Sequence, residues 1–242
     1  MQHEMMEIRE HPLVTVDVVI LTIQLTTLNE GEECLQVLLV QRKQHPFWEH
    51  WAIPGGFVLH NERLDDAAQR ELREKAGVSK VYLEQLYTFG EPARDPRARV
   101  ITISYYALVR SSDLTIHADE AGLTVAWFPV TALPERMAFD HRTIVETAVE
   151  RVRSKVDYAP IAFQFVPDLF TMAELRHVYE IILERKLDPG NFIHKVLASG
   201  LVEATAFHRS GNRHRPPRLY RFIGLREEAG LHSTHNVKGR RV

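Results

Sequence analysis

Cysteine is almost missing from this chain: Cys34 is the single one in 242 residues. An internal disulfide and a thiolate metal cage are therefore excluded. No run of about 18 apolar residues occurs, so an α-helical membrane span is excluded too. The first eleven residues are polar and acidic and lack the apolar core of a secretory signal. Repeats and low-complexity tracts are absent. What remains is ordinary globular composition, 45% hydrophobic and 26% charged, and we expect a cytoplasmic protein.

The net charge of −2 hides an uneven distribution. After residue 158 there are 13 Lys/Arg against 8 Asp/Glu, which leaves the first 158 residues strongly acidic. Asymmetry of this kind points to one part that meets nucleic acid.

β-Branched apolar runs at 14–25 and 35–42 read as strands, and 81–89, 100–109 and 124–130 follow them. Between them Leu64, Ala68, Leu72 and Ala76 recur at fourfold spacing, the mark of a helix. Asp65 and Asp66 suit its first turn and Gly77 its end. A second helix starts near Asp140, with Ile144, Ala148, Val152 and Val156 on one stripe. Strands outnumber helices and do not alternate with them regularly. An α+β layered domain is expected over residues 1–157.

The texture changes at residue 158. Thr171-Met-Ala-Glu174 is a capping box, and the helix it opens points Met172, Leu175, Tyr179 and Ile182 inward. Asp188-Pro189 is an N-cap and first-turn pair for another helix, which Ser199-Gly200 ends. Strand-like runs at 201–207 and 218–223 flank HRSGNRHRPP. Helix, turn, helix, hairpin is the order of a winged helix-turn-helix, expected over 158–226, with a tail at 227–242.

On the second of these helices Asn191, His194, Lys195 and Ala198 share one face, and Phe192, Ile193, Val196 and Leu197 are assigned to the buried side. The outer face carries donors suited to a major groove. From Ala204 to Arg226 there are six arginines and no acid. Arg209, Arg213, Arg215 and Arg218 lie in or beside the turn stiffened by Pro216-Pro217, where guanidinium groups can clamp phosphates. The thirteen histidines form no zinc spacing; His232 and His235 lack nearby acids or cysteine.

Residues 55–78 read GGFVLHNERLDDAAQRELREKAGV. Gly56, Glu62, Arg70, Glu71, Leu72, Glu74, Gly77 and Val78 match the signature of the Nudix hydrolases position by position, and the preceding WAIPGG is similar to that family as well. Glu71, Glu74 and residue 75 share a helix side, where three carboxylates would suit Mg²⁺. Residue 75 is Lys, however. The resemblance places a metal-ligating Glu there, while an ammonium competes with the cation and stands in the i,i+4 orientation for an ion pair with Glu71. We therefore expect no required cofactor, no intact metal site and a pocket that binds a nucleoside diphosphate without cleaving it. Residual Mg²⁺ at Glu71 and Glu74 stays open. An active hydrolase with a replacement ligand from Glu62 or Asp119-Glu120, and an accessory C-terminal module, is the alternative.

Residue chemistry nominates the ligand contacts. Gly55 and Gly56 permit close backbone approach, Arg42 can pair with phosphate, and Phe47, Trp48 and Trp51 offer stacking faces. Arg70, Glu71 and Glu74 complete this set. Arg94, Arg97 and Arg99 either line the same pocket or are simply exposed.

A Nudix box followed by a winged helix resembles the Nudix-related transcriptional regulators of NAD metabolism and their relatives that control sugar catabolism. Beyond the box the resemblance rests on DPRARVITISYYAL (95–108), LPERMAFDH (133–141), FTMAELRHVYEIIL (170–183), LDPGNFIHKVLASGL (187–201) and RPPRLYRF (215–222). It implies a Nudix-like mixed-sheet α/β/α sandwich, an effector such as ADP-ribose or a related sugar nucleotide, a homodimer, and repression of operator DNA relieved by ligand.

Overall fold

The structure, a computed structural model, describes residues 11–25, 33–78, 81–114, 124–209 and 216–224. Strand β1 (Leu13–Leu25) lies at its centre. It runs parallel to β6 (Val100–Leu108) and antiparallel to both β2 (Glu33–Gln41) and β4 (Gly55–Phe57). The sheet order is β3-β2-β1-β6-β5, with β3 (Trp51–Ala52) and β5 (Tyr82–Phe89) at its ends and β7 (Thr124–Pro129) on β2. The stretch between β2 and Leu64 thus contributes two short strands.

Alternation along β1 builds the two layers. Val16, Val18 and Ile20 turn to one face and meet Ala67, Ala68, Leu72 and Ala76 of α1 (Leu64–Ala76). Val19 and Leu21 turn to the other and meet Ile144, Val145, Ala148 and Val152 of α2 (His141–Lys155). A period of two in the strand and near four in each helix gives the α/β/α sandwich. Gly77 closes α1 with φ 66°, a left-handed position that glycine adopts without steric cost.

The apolar core beneath α2 continues into the C-terminal module through Ile161, Phe163, Phe170, Leu175 and Phe192. There α3 (Met172–Leu183) carries both hydrogen bonds of its capping box between Thr171 and Glu174. In α4 (Pro189–Ala198) the Asp188 carboxylate accepts from the Asn191 amide at 2.8 Å. Strands β8 (Val202–His208) and β9 (Arg218–Phe222) pair antiparallel, and Phe170 bridges to Tyr220 as a third strand of one residue. That is a winged helix-turn-helix. Among the described residues no helix is long and apolar enough to cross a membrane.

One expectation about α4 fails. Phe192 and Val196 are buried, but Ile193 is 37% exposed and Leu197 is 47% exposed. A ten-residue helix lying on a small module buries only a narrow stripe, so two of the four apolar side chains stay in solvent. Leu175, fully buried, and Leu197 therefore make a matched pair. Leu175→Ala should cost about 2–5 kcal/mol in urea unfolding, whereas Leu197→Ala should stay within about 0.5 kcal/mol.

Candidate functional site: a charged pocket at the start of helix α2

A cavity of about 250 Å³ opens between β1, β4 and the start of α2. Asp17, Arg42, Gly55, Gly56, Arg94 and His141 are among the residues around it, with Asp95, Arg97 and Phe139. The two glycines matter sterically. A Cβ on Gly55 would lie 2.2 Å from Asp17 Oδ1, and one on Gly56 would lie 2.4 Å from Glu71 Oε1. Gly56 is thus where the pocket touches the Nudix helix.

The wall is held by an ionic network. Arg94 donates to Asp140 through Nε at 2.9 Å and Nη2 at 2.7 Å, and Nη2 reaches Asp17 Oδ2 at 3.4 Å. Burial works against the Arg94 charge, but the Asp140 hydrogen bonds and the Asp17 charge outweigh it, so its pKa rises. His141 Nδ1 accepts from the Ile53 amide at 3.1 Å. Desolvation lowers the His141 pKa despite Asp17 and Asp140, and because Nδ1 accepts, the proton of the neutral ring sits on Nε2, 3.8 Å from Asp17.

Arg97 is clamped by Asp95 at 3.0 and 2.7 Å, and the Arg97 hydrogen bonds hold the Asp95 carboxyl below its usual range. Arg42 and Arg97 both lie over the Phe139 ring, at 4.8 and 5.7 Å from its centroid. Among the described residues Arg42 has no carboxylate within ion-pair distance; it donates to the Pro46 carbonyl at 3.0 Å. Desolvation and the neighbouring Arg97 both lower its pKa, so an incoming anion would relieve it. Guanidinium groups over an aromatic ring, beside backbone free of side chains, suit an anionic ligand with a planar or sugar portion.

Of the nominated ligand contacts, Arg42, Gly55 and Gly56 line this cavity. Phe47 does not; it packs edge-on behind Phe139 at 4.8 Å. Trp51 does not either, since it packs against Phe128 at 4.8 Å as part of the apolar core. Trp48 is exposed. Arg94 and Arg97, left undecided by the sequence, do line the pocket. Asp17, Asp95, Phe139, Asp140 and His141 were missed. A lone acid inside the apolar run VTVDVVIL was the available signal for Asp17.

On α1 the carboxylates already have a cation. Arg70 donates to Glu62 at 2.8 and 3.0 Å and to Glu71 at 2.6 Å. The Arg70 hydrogen bonds lower the Glu62 pKa, while burial keeps that of Glu71 raised. The expected Glu71–Lys75 ion pair is not formed: Arg70 takes the carboxylate, and Lys75 acts on it only at longer range. Glu74 is half exposed, 4.0 Å from Arg70. No group of three metal-ligating side chains is found among the described residues. As arranged, the residues do not fit a divalent cation, because Arg70 would have to be displaced first. Asp119 and Glu120 lie outside the described residues.

In the C-terminal module Asn191, His194 and Lys195 are exposed on α4. Arg209 is less free than expected, being bound to both oxygens of Glu174 at 2.6 and 2.7 Å. Arg218 is exposed, and Arg213, Arg215, His232 and His235 lie outside the described residues.

The NUDIX domain family model matches residues 19–148, and the NrtR DNA-binding winged helix domain model matches 162–222. The chain is 36% identical to the ADPR responsive transcriptional repressor NtrR of Acinetobacter baylyi, covering 87% of this chain and 82% of that one. It belongs to the NrtR-type family of Nudix-related regulators. Shewanella oneidensis NrtR, solved in complex with a 27mer DNA, superposes with a TM-score of 0.71 at 33% identity, covering 87% of this chain and 93% of that one. The ADP-ribose pyrophosphatase of Methanocaldococcus jannaschii is 33% identical over 56% of this chain and 72% of its own length. The NrtR-type chain thus joins a Nudix domain, the part similar to that pyrophosphatase, to a winged helix domain.

Arg94 supports a direct test of the pocket wall. Arg94→Ala would leave Asp17 and Asp140 facing each other without their cation. We expect about 3–5 kcal/mol of lost stability in denaturant unfolding. An unchanged midpoint would mean that the network is dispensable.

Proposed function

We propose that this protein is a transcriptional repressor that senses ADP-ribose or a related sugar nucleotide in the charged pocket and binds operator DNA through its winged helix, controlling genes of NAD metabolism or sugar catabolism. Residues 1–157 form the effector domain and 158–226 the DNA-binding domain, the tail expected at 227–242 lying outside the described residues; two copies act together as a homodimer. DNA and an ADP-ribose-like molecule are its partners.

The observation that carries this reading is the position of α2. Its first residue, His141, lines the pocket, and the preceding Asp140 holds the pocket residue Arg94. Twelve residues after His141, about 18 Å along a helix, Arg153 donates to the Ile182 carbonyl at 3.1 Å and pairs with Glu184, at the end of α3. One continuous helix therefore connects the ligand wall to the DNA-binding module. Two further links, Arg110 to Asp168 at 3.4 Å and His177 to Glu33 at 2.9 Å, cross the same boundary.

Coupling is tested by DNA titration with and without saturating ADP-ribose. Ligand should change DNA affinity by roughly 5–150-fold, and DNA must change ligand affinity by the same factor. Arg42→Ala should raise the ligand concentration at which the effect appears by weakening ligand binding. Arg153→Ala should keep both affinities near wild type and shrink only the ratio. Bound ligand with an unchanged DNA dissociation constant would overturn the sensor reading.

We further propose that the pocket binds without hydrolysis, because Lys75 replaces a carboxylate and Arg70 occupies Glu62 and Glu71. The likeness to an ADP-ribose pyrophosphatase and the retained Glu71 and Glu74 favour a second reading, a working hydrolase. The two separate on incubation with ADP-ribose and Mg²⁺ or Mn²⁺. Negligible release of AMP and ribose phosphate is expected; robust release abolished by Glu74→Gln would establish the second reading.

A further inference from the structure

The exposed face of α4 differs from the one its polar residues suggest. At 100° per residue, Phe192 and Val196 define the buried side, and the direction opposite to them passes through His194. Gly190 and Ala198 flank that line. Beside it on one edge are Asn191 and Lys195, which turn toward the linker: both border a cavity of about 390 Å³ with Asp157 and Tyr158, and Lys195 Nζ is 3.9 Å from Asp157. On the other edge are Ile193 and Leu197, 37% and 47% exposed.

Resting on the DNA-binding reading above, we infer that Ile193 and Leu197 belong to the base-reading surface, and that the half-site they meet presents thymine methyl groups. In the major groove the thymine C5-methyl is the apolar feature of the base edges, and aliphatic side chains recognise it by contact. Three observations favour this occupant over a second copy of the chain. Two aliphatic side chains fall far short of the roughly 800 Å² per partner that a stable protein interface buries. The helix itself has no acidic residue, and the neighbouring Asp157 lies on the opposite edge, beside Lys195. Gly190 and Ala198 have almost no side chain, so the helix can approach base edges closely along that line.

The half-site sequence is found first, by selecting duplexes from a randomised 27-base-pair pool with the full-length protein. Each thymine of a recovered duplex is then replaced singly by deoxyuridine, which removes the methyl group and keeps the base pair. At one or two positions per half-site, wild type should bind the deoxyuridine duplex about four-fold more weakly, the equivalent of about 0.8 kcal/mol for one buried carbon. Leu197→Ala or Ile193→Ala should bind thymine and deoxyuridine equally at the matching position, while still unfolding in urea near the wild-type midpoint. If every replacement is neutral, or affects wild type and both variants alike, the inference is overturned. If the variants change self-association in sedimentation and leave the deoxyuridine pattern untouched, the two residues form a contact between copies and the inference falls. Failure to recover any duplex above background would defeat the DNA-binding reading itself, a result distinct from the other two.

Discussion

Burying the Arg94 guanidinium is tolerable only because carboxylates reach it from two different elements. Asp17 comes from the central strand and Asp140 from the residue before α2. A charge out of water is costly unless paired with good geometry, so strand and helix are held in fixed relation at this point. The apolar stripe of α2 then determines how the helix lies on the sheet, and its far end meets the winged helix. The pocket, the rod and the DNA-binding module all depend on that ion cluster.

A second ionic choice sets the chemistry. On α1 the same helix face that would hold a divalent cation instead holds Arg70 between Glu62 and Glu71. The carboxylates are satisfied by a fixed internal cation, and Lys75 adds another positive charge nearby. Positive charge in the pocket itself comes from a different group of residues, Arg42 and Arg97 over Phe139. The proposed binding without hydrolysis rests on this separation of the two groups of charges.

Arginines of the C-terminal module divide their labour. Arg209 joins the wing to the capping box of α3 through Glu174, and Arg221 pairs with Glu203 across the hairpin. Arg218 remains in solvent. A basic composition therefore overstates how many guanidinium groups are free for phosphate, because several stabilise the hairpin that presents the rest.

Much of this was legible in the chain. Periodicity and capping residues located α1 to α4 and the long strands nearly to the residue, since hydrogen-bond caps and apolar spacing act within a few positions. The Nudix box was legible for the same reason: its residues are close in sequence on one helix. The pocket was not. Asp17, Arg94, Asp140 and His141 come together from three distant segments, and only the folding of β1 against α2 makes them neighbours. Trp51 and Phe47 lie away from the pocket lining because an aromatic ring packs on another ring as readily as on a ligand, and composition does not say which. Lys75 and Glu71 had the right spacing for a pair, yet Arg70 won the carboxylate because of the fold around Gly56 and Glu62. The sequence by itself determined the elements, their order and the residues of the Nudix box, Lys75 among them. Tertiary structure decided which charges meet, because desolvation and pairing are properties of position in space.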